Sequence, residues 1–196
     1  MKTMPTSTAC DEGGGARVVV TDANVLINLM HVDRLPLLGG LRGYEFVVPD
    51  HVRTEITQPA QVGMLDDAAA RGFLRFESVT DLAALTLFAE LVACIGRGEA
   101  ACLALAVAKG WMIASDEKRR FRREVEARLG TDRILRTQDL FVLALEAGLI
   151  TVQQADADKA VLEERRFKMS FGSFRELVKQ SHGRRSDSTS RRRGMT

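Results

Sequence analysis

Two short apolar runs each end directly on an aspartate: RVVVT (17–21) leads into Asp22, and WMIAS (111–115) leads into Asp116. Each run is followed by a longer helical pattern. Continuous β-branched runs suit strands covered on both faces, and strands that alternate with helices build a mostly parallel sheet. This order constrains the chain to an α/β class, with a sheet sandwiched between helices.

The remaining pieces extend the alternation. YEFVVP (44–49) reads as a second strand, and Asp50 is expected to be the N-cap of the short helix HVRTEI. LRFESV (74–79) reads as a strand between helices. DLAALTLFAELVACI and EAACLALAVAKG read as helices broken by GRG, the second apolar on nearly every face and so expected to lie against the sheet. EKRRFRREVEARLG is a charged helix, and the strand DRILRT and helix QDLFVLALEAGL follow. The expected organisation is one α/β unit over 17–150, a helical addition over 151–182, a disordered extension over 1–16 and a basic disordered tail over 183–196.

Composition excludes several chemistries. Cys10, Cys94 and Cys102 form no C-x-x-C pair, and His31, His51 and His182 lack ligand spacing, so cysteine- or histidine-held metals and a Ser/His/Asp constellation are disfavoured. Neither LGGL nor GRGE continues into the Lys-Ser/Thr of a phosphate loop. The N-terminus shows no apolar core of a leader, and no run approaches a membrane span, so a cytoplasmic protein without membrane partners is expected. The net charge is +2, yet the last fourteen residues hold five Arg and one Asp, which leaves the body near neutral.

Four carboxylates stand out: Asp22, Glu55, Glu99 and Asp116. Each has a plain structural explanation taken alone. Asp22 and Asp116 are placed as N-caps, and Glu99 suits a helix's first turn. As a set they are harder to dismiss. Ligands of open α/β sheets bind beyond the carboxyl ends of strands, where Asp22 and Asp116 both lie. Helical spacing puts Glu55 beside the apolar stripe of its helix, and Glu99 heads the stripe Cys102, Leu103 and Ala106. Clustered carboxylates repel and call for a counter-charge, and a hard divalent cation such as Mg²⁺ or Mn²⁺ prefers oxygen ligands.

These residues resemble the PIN domain family. VVVTDANVLINLM is similar to the opening of that fold, VVPDHVRTEI to its second strand and Glu-bearing helix, and GRGEAACLALAVAKGWMIASDEKRRF to its acidic helix and terminal Asp. The resemblance implies a three-layer α/β/α domain and a metal-dependent ribonuclease, with Asp22, Glu55, Glu99 and Asp116 catalytic and the first, third and fourth holding Mg²⁺ or Mn²⁺. It implies that Asn24 and Thr21 orient Asp22 or its waters and that Ser115 does the same for Asp116. Members include ribonuclease toxins of toxin–antitoxin pairs, so an antitoxin protein and a homodimer join RNA among the expected partners. Two positions depart from the common pattern: Glu99 stands where many members carry Asp, and Lys118 stands where many carry a further acidic or amide residue. Glu117 is expected to point elsewhere.

Lys118, Arg119, Arg122 and Arg123 are candidates for gripping RNA phosphates, set against a solvated helix face with Arg120–Glu124 and Arg122–Glu126 pairs. Met169, Phe171 and Phe174 are expected to pack back on the domain, a partner surface being the other reading. The competing functional reading is a PIN-like binding module that has lost turnover.

Overall fold

Val19 and Val20 are wholly buried in the central strand of a five-stranded sheet whose neighbours are all parallel. The structure is a computed structural model that describes residues 15–179. The disordered ends expected at 1–16 and 183–196 lie outside the described residues, apart from Gly15 and Ala16. The strands are β1 (Arg17–Thr21), β2 (Tyr44–Pro49), β3 (Arg75–Glu77), β4 (Met112–Ala114) and β5 (Ile134–Leu135), in the spatial order β3-β2-β1-β4-β5. Both edge strands are short, three and two residues long, which limits unpaired backbone.

Strand order reverses at β1, because β2 and β3 are added on one side and β4 and β5 on the other. Right-handed crossovers therefore send the linking helices to opposite faces. Helices α1 (Ala23–His31), α2 (Pro36–Gly40), α3 (Asp50–Glu55) and α4 (Pro59–Ala70) serve the first side; α5 (Leu82–Val92), α6 (Arg97–Lys109) and α7 (Arg120–Leu129) serve the second. The apolar α6 packs on β1, β2 and β4 as its composition demands, and every residue from Ala100 to Ala106 is fully buried. Among the described residues no helix is long and apolar enough to cross a membrane.

Several local expectations are corrected. Asp50 is not the cap of α3 but its first residue: Pro49 takes the cap position, and Asp50 instead accepts from the Ser78 hydroxyl. The break between α5 and α6 falls at 93–96 rather than across GRG: Gly96 caps α6, and Arg97 and Gly98 are already helical. The helix after Asp116 begins at Arg120 rather than Glu117, leaving 115–119 irregular. Glu124 pairs with Arg128 rather than Arg120, whereas Arg122 does meet Glu126 at 2.7 Å.

Helix α8 (Thr137–Glu146) follows β5, and α9 (Val152–Glu164) packs on α1 and α8. Arg34, just past α1, grips Asp158 of α9 through Nε and Nη2 at 2.6 and 3.3 Å. Phe174 is fully buried, stacked 5.4 Å from Phe141 and edge-on to Phe171 at 4.9 Å, and Met169 is buried in the same cluster. Asp156 holds this last segment by accepting from the Phe174 N–H (2.8 Å) and the Ser173 hydroxyl (2.7 Å). Asp156→Ala removes both bonds and should destabilise the protein by about 1–2 kcal/mol. The shift of the urea midpoint measures this, and an unchanged midpoint would show that the aromatic contacts alone secure the segment.

Candidate active site

The sheet's register sets the carboxylates side by side. Thr21 lies opposite Ala114, and Ala114 opposite Leu135. The ladder continues past the strands: Asp22 N–H donates to Ala114 O (3.0 Å), and Ser115 N–H to Leu135 O (2.9 Å). Asp22, the pair Ser115–Asp116, and Thr137 are thereby gathered at the carboxyl ends of β1, β4 and β5. This is the point where strand order reverses and where a crevice opens in such sheets.

Asp22 is the N-cap of α1 and only 4 % exposed. One carboxylate oxygen accepts from Ala23 N–H (2.8 Å) and the other from the Ser115 hydroxyl (3.1 Å). A capping carboxylate ordinarily titrates low, because the helix N-terminus favours its charge. Here burial outweighs the two hydrogen bonds, the charges of Glu99 and Glu55 add to it, and the Asp22 pKa is pushed up to about 7. Capping describes where Asp22 sits but not the acidic company it keeps.

Glu99 stands in the first turn of α6, half-buried, with Oε2 accepting from Gly96 N–H at 2.8 Å. Burial raises its pKa against that bond, and the charges of Glu117 and Glu55 raise it further. Glu55, the last residue of α3, is exposed and not buried beside the apolar stripe as its spacing implied. Its carboxylate turns onto the start of α6 and accepts from Gly98 N–H at 2.8 Å. A Cβ on Gly98 would lie 2.5 and 2.7 Å from the two Glu55 oxygens, so glycine is what admits the carboxylate there.

Asp116 is held by three donors: Thr137 N–H (3.0 Å), the Thr137 hydroxyl (2.5 Å) and the Asn28 amide (3.0 Å). Burial still raises its pKa, while those bonds and the nearby Arg136 pull it down. Asn24 uses both ends of its amide: Oδ1 accepts from Asp116 N–H (3.2 Å) and Nδ2 donates to Glu117 Oε1 (3.3 Å). That pairing fixes which way the amide points. Ser115 Oγ donates to Asp22 and accepts from Glu117 N–H (3.2 Å), linking the two, so Ser115 serves Asp22 and Asn24 serves the Asp116 backbone, the reverse of the pairing expected from the sequence. Thr21 is fully buried, and its hydroxyl donates to its own strand at Val19 O (3.4 Å).

A cleft of about 460 Å³ is lined by the acids Glu99, Asp116 and Glu117, by the bases Lys118, Arg119 and Arg120, and by Cys94, Ile95 and Phe121. Arg122 is engaged with Glu126, and Arg123 is exposed on α7. Asp22, Glu55 and Glu99 thus lie within electrostatic reach of one another, and Glu99 and Asp116 share the cleft. Among the described residues, no three His, Cys, Asp or Glu side chains are drawn tightly enough together to form a ready-made metal shell.

Glu117 corrects the sequence reading, since it lines the cleft instead of pointing away. Strand alternation would have turned it aside, but β4 ends at Ala114 and the irregular backbone beyond it follows no such rule. Asn28 and Thr137 were also missed. A signal existed for each: Asn28 is one turn after Asn24 in an otherwise apolar helix, and Thr137 follows a strand end as Asp22 does.

A family model for DUF3368, described as a PIN domain, matches residues 18–180. No curated protein matches the chain.

Proposed function

Because the chain belongs to the PIN domain family, whose members are generally nucleases and typically use divalent metals, we propose that it is a metal-dependent RNA endonuclease that hydrolyses phosphodiester bonds. One observation supports this reading: carboxylates at the ends of β1 and β4 and in the first turn of α6 lie around the sheet's switch point, with the Asp22 pKa raised to about 7 by burial and by its neighbours Glu99 and Glu55. An oxygen-only donor set with surplus negative charge fits a hard divalent cation rather than a softer one. Asp22, Glu99 and Asp116 would hold it, and Glu117 is placed to join them. When bound, Mg²⁺ or Mn²⁺ supplies positive charge against the phosphate and activates water for in-line attack.

The chain's own groups do the positioning. Asn24 and Ser115 tie Asp22, Asp116 and Glu117 into one network, and Asn28 and Thr137 keep the Asp116 carboxylate oriented. Lys118, Arg119 and Arg120 line the same cleft, where they can meet the substrate's backbone phosphates. In this reading residues 17–150 carry the site, α9 of the C-terminal addition braces α1, and the basic tail adds non-specific attraction to RNA. A cytoplasmic toxin held in check by an antitoxin is the role that the family resemblance suggests.

The second reading is a PIN-like binding module without turnover, to which the absence of a ready-made three-acid shell among the described residues belongs. Purified protein on labelled single-stranded and structured RNA separates the two in Mg²⁺, in Mn²⁺ and in EDTA. Cleavage that vanishes with EDTA supports the nuclease. RNA binding without cleavage under any cation supports the module.

Gly98→Ala tests the part played by Glu55. The added Cβ displaces the Glu55 carboxylate, the flexible end of an exposed side chain, so the steric cost is small. One lost hydrogen bond is offset by alanine's helix preference, and stability should change by less than about 1 kcal/mol. Displacing a charge that supports the site should weaken Mn²⁺ binding by roughly tenfold or more, read by calorimetric titration. Unchanged affinity would remove Glu55 from the cation site.

A further inference from the structure

Arg97 is the first residue of α6, where the positive end of the helix dipole opposes a cation. Glu99 is two residues on, and Glu55 holds the N–H of the next residue, Gly98. Even so, among the described residues Arg97 makes no ion pair and no side-chain hydrogen bond. Its exposed guanidinium lies instead over the Phe88 ring, 5.9 Å from the centroid. Arg53 over Phe76 and Arg75 over Trp111 make similar contacts, but each also meets a carboxylate, Asp66 for the first and Glu45 and Glu77 for the second. Arg97 is a cation held beside the acids with its charge unanswered.

The ring beneath it belongs to a small platform. Phe88 is half-buried, and its ring lies 4.6 Å from the His51 imidazole at a tilt of 46°. His51 Nδ1 is buried without a hydrogen-bond partner, so ring contact rather than hydrogen bonding places the imidazole. Leu85, one turn before Phe88 and 43 % exposed, widens the apolar surface. The platform borders the acidic site, because His51 stands one turn before Glu55 on α3 and α3 packs on α6. Helix α3 follows β2, whereas Lys118, Arg119 and Arg120 follow β4, and those strands flank β1 on opposite sides. Asp22, at the end of β1, thus has positive charge to either side.

A polyanion laid across the acids needs cations on both sides of the cut, and a base stacks on a side-chain ring only when it is unpaired. We propose that Arg97, Phe88 and His51 form a subsite for one unpaired nucleotide of RNA, its phosphate on Arg97 and its base on the Phe88 and His51 rings. On the reading of the acids as an RNA-cleaving site, this nucleotide is the neighbour of the scissile phosphate. Every base has a π-face, so the subsite selects single strands and not a sequence.

Binding of fluorescein-labelled RNA to the full chain in EDTA, as a single strand and as a duplex of the same sequence, tests this, with cleavage in Mn²⁺ followed alongside. Phe88→Leu should weaken single-strand binding roughly fivefold or more at an unchanged salt dependence, and duplex binding less than about twofold. Arg97→Gln should weaken binding and reduce the slope of log affinity against log salt by about 0.7, the share of one phosphate contact on a single strand. It should not lower the melting temperature, because the cation it removes opposes the helix dipole. Should Phe88→Leu unfold, Arg97→Gln, on an exposed side chain, carries the test through its salt slope. A parent chain that binds no single strand, or variants that keep its affinity and slope at unchanged circular dichroism, would overturn the subsite. If such variants accompany a parent that cuts RNA, the subsite alone falls. If the expected losses of binding accompany a parent that cuts RNA with no cation, the subsite stands and the nuclease reading falls.

Discussion

Asp22→Asn is expected to lower RNA cleavage by about 10²-fold or more while leaving the fold as stable as before, or more so. Asparagine caps a helix about as well as aspartate, so the bond to Ala23 N–H survives. The new amide can donate to Ser115 Oγ, whose second lone pair still serves Glu117 N–H, so both contacts persist and only the Ser115 hydroxyl proton gives up its acceptor. What disappears is one negative charge at the proposed cation site. About 3 kcal/mol of lost charge stabilisation corresponds to that hundredfold. Without metal, the same loss relieves repulsion with Glu99 and Glu55, so the variant should melt above the parent at pH 8. Cleavage and melting of this single variant separate a capping role from a chemical one. Retained cleavage with an unchanged Mg²⁺ requirement would remove Asp22 from the mechanism.

Metal-free protein should lose about 3 kcal/mol of stability between pH 5 and pH 8 through Asp22 alone, and Mg²⁺ should return it. The Asp22 carboxyl titrates at 3.8 in an unstructured chain and near 7 in the fold. Below pH 4 both states hold the proton. From there to pH 7 the unfolded chain releases it and the folded chain does not, so stability falls with rising pH and then levels off. Glu99 and Asp116, also raised by burial, act in the same direction. His31, half-buried and lowered by burial and then by Arg165, acts in the opposite direction. A cation binds the ionised acids, so its stabilising effect should be larger at pH 8 than at pH 5. Urea midpoints at both pH values, in EDTA and in Mg²⁺, give four numbers. Equal midpoints in all four would mean that the acids are neither strained nor metal-binding.

The sequence by itself determined the strands and the acids at their ends. RVVVT, YEFVVP and WMIAS are short, apolar and bounded, and residues that must be covered on both faces leave little choice but a sheet between helices. Asp22, Asp116 and the acidic start of α6 were legible because strand ends and helix starts are local features. Glu55 was found for a reason that did not hold: its helix does not bury it, and it reaches the site by turning onto the Gly98 N–H. The tertiary structure alone decided the rest. Ser115 bonds Asp22 across 93 residues of chain and Asn28 bonds Asp116 across 88, and no periodicity carries information over that distance. The order β3-β2-β1-β4-β5 made neighbours of β1 and β4, and that pairing brought Asp22, a helix cap, and Asp116, which caps nothing because α7 starts from Arg119, to one side of the candidate site. Glu117 entered the cleft because the backbone after β4 leaves the ladder, and Arg122 turned from the cleft to Glu126 because an ion pair on its own helix was closer. Local patterns follow from side-chain spacing along one element, whereas convergence follows from which elements pair, and pairing is set by the burial of all the strands at once.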